Sequence, residues 1–155
     1  MKIKTIDTPR GNFEFYTSII TLLCTAAGML LSLLSYSTGY YVFGEMNSIL
    51  VCVFIMLAFL MELANLMLER RYPHAAWPQC ITFFVTSFLI LALVFHIGDR
   101  FEGIGNCIVT DYDSGHGGEQ AIYFSIAACV LLLVGSLANI IGSFRRTPRP
   151  EQSEG

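Results

Sequence analysis

The chain has 155 residues, 54% of them hydrophobic and 14% charged, against roughly 25% charged in an ordinary soluble domain. The net charge of −3 averages over separate polar stretches and carries little meaning by itself. With no basic block or aromatic-interleaved basic patch, nucleic acid is excluded as a partner.

The charges fall between apolar runs long enough to cross a bilayer. A spanning helix needs about 20 mostly apolar residues, because each rises 1.5 Å through roughly 30 Å of hydrocarbon. The first run is 17–36, after a cytoplasmic N-terminal segment at 1–16. Its length sets it apart from the apolar part of a cleaved signal peptide, although Ser35-Tyr36-Ser37 is a passable cleavage site. The second run is 48–68 and holds one formal charge, Glu62. The third is 80–97, with Pro78 suited to a first helical turn, and the fourth is 121–144 with no charge. Four such runs leave too little polar surface for a soluble particle. The expected fold is an all-α, polytopic, antiparallel bundle of four transmembrane helices in the plasma membrane, with one long outer loop between helices 3 and 4.

Basic residues near span ends mark the cytoplasmic side. Lys2, Lys4 and Arg10 precede the first span, Arg70 and Arg71 follow the second, and Arg145, Arg146 and Arg149 follow the fourth. Only Arg100 lies across the membrane from them, so both termini are expected in the cytoplasm. Phe13, Phe15 and Tyr16 fit one aromatic belt and Tyr36, Tyr40 and Tyr41 the other, with Trp77 as an anchor of the third span. The tail 145–155 has almost nothing to bury and is expected to be disordered.

Within the first span Ser18, Thr21, Thr25, Gly28, Ser32 and Ser35 recur at alternating spacings of three and four. The fourth span repeats the rhythm in Ser125, Ala128, Leu132, Gly135, Asn139 and Gly142, with Leu132 the one bulky member. Lipid tails are as apolar as leucine, so helix association in a bilayer depends on close contact and hydrogen bonds, which small residues permit. These stripes predict antiparallel packing of spans one and four. The same faces also suit dimerisation.

Glu62 lies about six residues from the end of its span, roughly 9 Å deep at helical rise. A carboxylate at the bilayer centre costs at least about 2.5–3.5 kcal/mol on insertion scales. Asn65 follows one turn later, Asn139 lies at a similar depth on span four, and Thr21 and Thr25 reach the same layer. These five residues are expected to form an intramembrane polar cluster. It either knits the helices together, with Glu62 protonated or reaching towards Arg70 and Arg71, or serves proton- or cation-linked transport. Transport requires Glu62 to face the bundle. His96, before Asp99 and Arg100, reads as an ordinary boundary residue.

The stretch 98–120 is the expected outer loop, with six glycines and the acidic residues Asp99, Glu102, Asp111, Asp113 and Glu119. Alternating Asp111 and Asp113 suggest a calcium loop, but Gly115 takes the third ligand place and Ile122 the twelfth. Asp111, Asp113, His116 and Glu119 form the candidate set for a divalent cation, set against a solvated acidic loop or an extracytoplasmic docking surface. No other cofactor is indicated.

The five cysteines stand singly, without a CxxC pair. Cys24, Cys52 and Cys129 lie within spans, Cys80 at a boundary, and Cys107 in the outer stretch, either free or paired between molecules. Ser114-Gly115-His116 sets a hydroxyl beside an imidazole without forming a triad. The four-span size is similar to that of small multidrug transporters, but their essential first-span Glu has no counterpart among residues 17–36. Sparse polar chemistry and small-residue faces favour an accessory or interaction subunit that meets another membrane protein or a second copy of itself. A small oligomeric transporter using Glu62 and an enzyme using the outer His, Asp and Glu residues are the alternatives.

Overall fold

In a computed structural model, residues 9–38, 45–71, 77–110 and 116–145 are described. They form four helices: α1 (Pro9–Ser37), α2 (Glu45–Arg71), α3 (Trp77–Thr110) and α4 (His116–Arg145). All four contain a segment long and apolar enough to cross a membrane: Phe15–Ser37, Asn47–Leu68, Cys80–Phe101 and Gly118–Phe144. Large apolar side chains are exposed on every helix, among them Leu30, Met67, Phe83 and Val130, as lipid-facing surfaces require.

Each helix packs on its neighbours in the ring α1–α2–α3–α4–α1, and α1 with α4 is the most extensive pair. The reason is a shared repeat. Buried positions follow a three-four spacing on every helix: 18, 21, 25, 28, 32 and 35 on α1; 51, 55, 58, 62 and 65 on α2; 82, 85, 89, 92, 96 and 99 on α3; and 121, 125, 128, 132, 135, 139 and 142 on α4. A mean period of about 3.5 keeps one seam turned towards a partner along the whole helix, as in supercoiled bundles.

The two sides of the ring pack differently. Between α1 and α4 the backbones come close. A Cβ on Gly28 would stand 3.1 Å from Leu132 Cδ2, one on Gly135 3.3 Å from Cys24 Cβ, and one on Gly142 2.6 Å from Thr17 Oγ1. Hydroxyls stitch the seam. Thr21 Oγ1 is 2.9 Å from Thr17 O and 3.3 Å from Gly135 O, and Ser35 Oγ donates to Ala121 O at 3.1 Å. Between α2 and α3 the contact is made by large side chains. Phe54 stacks against Phe88 and Phe95, with centroids 5.9 and 5.8 Å apart.

Along the bundle axis the interior is layered. Its middle is apolar on three helices: Val51, Ile55, Ala58, Val85, Leu89, Ala92 and Leu132 of α2, α3 and α4 are each 0% exposed, while α1 brings Thr25 and Gly28 to that level. Polar residues lie to either side of it. The end holding the first turn of α1 and the last turn of α4 is termed proximal, and the other end distal.

Of the expected outer stretch 98–120, residues 98–110 continue α3 and residues 116–120 open α4. The polar residues there conceal a helical apolar period of Ile97, Phe101, Ile104 and Ile108. The expected N-terminal segment is likewise entered by α1, which starts at Pro9, a first-turn position that proline favours. The expectation for the tail falls on residues 146–155, which lie outside the described residues.

Candidate functional site

At the distal end all four helices contribute to a buried polar centre. His96 of α3, one position along the repeat from Ala92, is 0% exposed. Its Nδ1 is 3.0 Å from the Tyr36 hydroxyl of α1, and its Nε2 is 3.0 Å from Ser125 Oγ of α4. The Tyr36 and His96 rings meet edge to face, with centroids 5.6 Å apart. Arg100, one turn further along α3, sets its guanidinium carbon 4.6 Å from the Tyr36 ring centroid. Asp99 lies beside Asn47 and Ser48 at the start of α2. Asp99 and Arg100 are only 3% and 2% exposed, so neither belongs to a solvated loop.

The expectation for His96 is therefore corrected: it sits inside the bundle, with both ring nitrogens engaged. The run of apolar residues stops at Ile97, which makes the following charges resemble a loop. The seam position of His96 follows instead from the repeat, since 82, 85, 89, 92, 96 and 99 are evenly spaced.

A neutral imidazole offers one donor and one acceptor, whereas each hydroxyl can play either part. The Tyr36–His96–Ser125 chain is thus satisfied by either neutral tautomer, and an imidazolium would donate to both hydroxyls. Ser125 and His96 also stand at the distance of a nucleophile and its base. Both are buried, at 2% and 0% exposure, so the pair ties α3 to α4 beyond the reach of water.

The second polar layer is proximal. The five residues expected in a cluster, Glu62, Asn65, Asn139, Thr21 and Thr25, are each at most 2% exposed. Glu62 thus turns into the bundle and away from lipid. The hydrogen bonds divide the layer rather than closing one ring. Asn139 Nδ2 donates to Thr82 O at 3.1 Å and to Thr86 Oγ1 at 3.0 Å, both on α3. Thr21 reaches Gly135 O of α4, and Thr25 donates to Thr21 O of its own helix at 2.6 Å. The layer also includes Thr82 and Thr86, whose spacing of four on α3 is the sequence sign that Asn139 has a partner there. Asn65 is fully buried, and neither end of its amide has a hydrogen-bond partner among the described residues.

The small residues singled out for packing, Ser18, Gly28, Ser32 and Ser35 on α1 and Ser125, Ala128, Gly135 and Gly142 on α4, are all buried. Ser125 departs from the group, since its hydroxyl serves His96 of α3. Of the candidate cation ligands, Asp111 and Asp113 lie outside the described residues, as does the His116 side chain, and Glu119 is exposed on α4. No group of three His, Cys, Asp or Glu residues converges among the described residues. Cys107 falls on α3, with its side chain outside the description, and Cys24, Cys52, Cys80 and Cys129 are free thiols. No protein-family model, curated protein or solved structure matches the chain.

Proposed function

We propose that this protein is an accessory or interaction subunit of a larger assembly in the cell membrane, with both termini in the cytoplasm. The observation that carries the proposal is the closed middle of the bundle. Seven fully buried apolar residues of α2, α3 and α4 fill the bundle between the distal polar centre and the proximal one, and α1 passes beside them with small residues, Thr25 and Gly28 among them. The distal chemistry is also turned inward, since His96 spends both nitrogens on α1 and α4. What such a molecule presents to its surroundings is apolar helix surface within the bilayer. The basic residues beside Pro9, Arg71 and Arg145 support the orientation.

A second reading, a homo-oligomeric cation-linked transporter, is favoured by Glu62 facing the bundle interior at 0% exposure. Its pathway would have to be completed by symmetry. Native-detergent purification with quantitative mass spectrometry, paired with ion flux in liposomes, separates the two. A stable heteromeric partner at fixed stoichiometry, without flux from the isolated chain, is the expected result. A pure homo-oligomer that conducts ions would refute the accessory role.

A further inference from the structure

We propose that the lipid-facing side of α3 is a contact between two copies of this chain, whose α3 helices pair in parallel along the span and past its distal end. The pairing stands apart from the accessory role, because a paired subunit can still serve a larger assembly.

A second repeat runs along α3, separate from the seam that faces the bundle. Positions 83, 87, 90, 94, 97, 101, 104 and 108 alternate spacings of four and three, and all are apolar except Ser87. Phe83, Ile90, Val94, Ile97 and Phe101 are exposed, Phe101 at 75%. Ser87 Oγ donates to Phe83 O at 2.9 Å, so the polar member finds its hydrogen bond within its own helix. A mean period of about 3.5 holds such a stripe against a neighbouring helix over many turns.

Within the bilayer, lipid alone accounts for apolar residues on this side. Beyond the span it does not. The span ends at Phe101, whereas α3 runs on to Thr110 and the repeat keeps its register through Ile104 and Ile108. An apolar stripe on a helix in water calls for a partner.

The other helices of the same copy stop short of it. The bond between His96 and Ser125 sets His116, the first residue of α4, level with Gly105. Asp99 beside Asn47 sets Glu45, the first residue of α2, level with Phe101. The bond between Ser35 and Ala121 likewise ends α1 near the level of residue 102. Residues 106–110 therefore reach past the other described helix ends, by roughly 8 Å at helical rise.

That overshoot selects the occupant. Whatever covers the stripe must itself be a helix that continues past the same side of the bilayer to the same height. A second copy, inserted with the same topology and rotated about the membrane normal, brings such a helix and sets each apolar position against its own equivalent. Gly98 and Gly105 directly follow two members of the repeat. Both are exposed, and a Cβ on either would meet nothing within 4 Å. Small residues beside the stripe leave room for the backbone of the second helix.

The test places single cysteines in the full chain, in native membranes, after its five natural cysteines are replaced by alanine. Under mild oxidation Val94→Cys, Ile97→Cys, Phe101→Cys and Ile104→Cys should form covalent dimers severalfold faster than Ile49→Cys and Ile126→Cys, which are exposed at similar depth on α2 and α4. Adding Gly98→Leu to Phe101→Cys should cut the dimer severalfold, because the new bulk enters space that the chain itself leaves open. If that variant fails to fold, the periodic pattern of reactive positions carries the test by itself. Equal rates on α2, α3 and α4 would overturn the contact. Cross-links from α3 to a different membrane protein, in place of the dimer, would overturn it too.

Discussion

Replacing His96 with Leu removes a group that bonds simultaneously to α1 and α4. The loss is larger than two hydrogen bonds, because it strands two hydroxyls. A buried polar group left without a partner costs about 1–3 kcal/mol. Ser125, 2% exposed, has no route to water and takes the upper part of that range. Tyr36 is half-buried and can turn outward, so it takes the lower part. The single variant is therefore expected to lose about 2–4 kcal/mol, whereas an interhelical hydrogen bond in a membrane averages about 0.6 kcal/mol in mutant cycles. The triple variant His96→Leu, Tyr36→Phe and Ser125→Ala strands nothing and keeps the ring beneath Arg100. It should recover to within about 1.5 kcal/mol of the native protein, since apolar replacement of all partners is close to neutral. Reversible unfolding in bicelles by steric trapping measures all three stabilities. Additive losses, with the triple variant the least stable, would refute the account of a buried, mutually satisfied chain.

Packing makes further predictions in the same assay. Gly142→Val should cost about 1–3 kcal/mol, because its Cβ would fall 2.6 Å from Thr17 Oγ1, and Thr17→Ala should restore part of that loss. Gly98→Ala is the contrast: nothing lies within 4 Å of the added carbon. It should be neutral or stabilising by up to about 1 kcal/mol. Leu132→Ala, at the fully buried position facing Gly28, should cost about 2–5 kcal/mol through loss of contact and a residual cavity.

The fold was legible in the sequence because a bilayer imposes length and composition directly. The α1 and α4 stripes were visible because small residues among leucines stand out. The seams of α2 and α3 were hidden for the opposite reason: Val51, Ile55, Val85 and Leu89 resemble the lipid-facing residues beside them. The distal centre is masked in the sequence because His96, Asp99 and Arg100 stand at the end of an apolar run, where charge ordinarily marks the return to water. Only the even three-four spacing through 82–99 distinguishes them from a loop, and it becomes evident once α3 is seen to continue to Thr110. In the proximal layer the residue types of Asn139 and Thr21 were informative, but their partners were not. Which neighbour accepts each bond depends on register between helices, which no single stripe contains.

All of this depends on α1 closing the ring against α4 with its hydroxyl face inward. Cysteine pairing in native membranes tests that arrangement most directly. In a chain whose five natural cysteines are replaced by alanine, Ser35→Cys and Ala121→Cys are introduced together, where the Ser35 hydroxyl lies 3.1 Å from the Ala121 carbonyl. Mild oxidation should form an intramolecular disulfide in high yield, while Leu34→Cys, one residue around the helix and facing lipid, should not pair with Ala121→Cys. Equal cross-linking from positions 34 and 35, or cross-links only between molecules, would contradict the bundle.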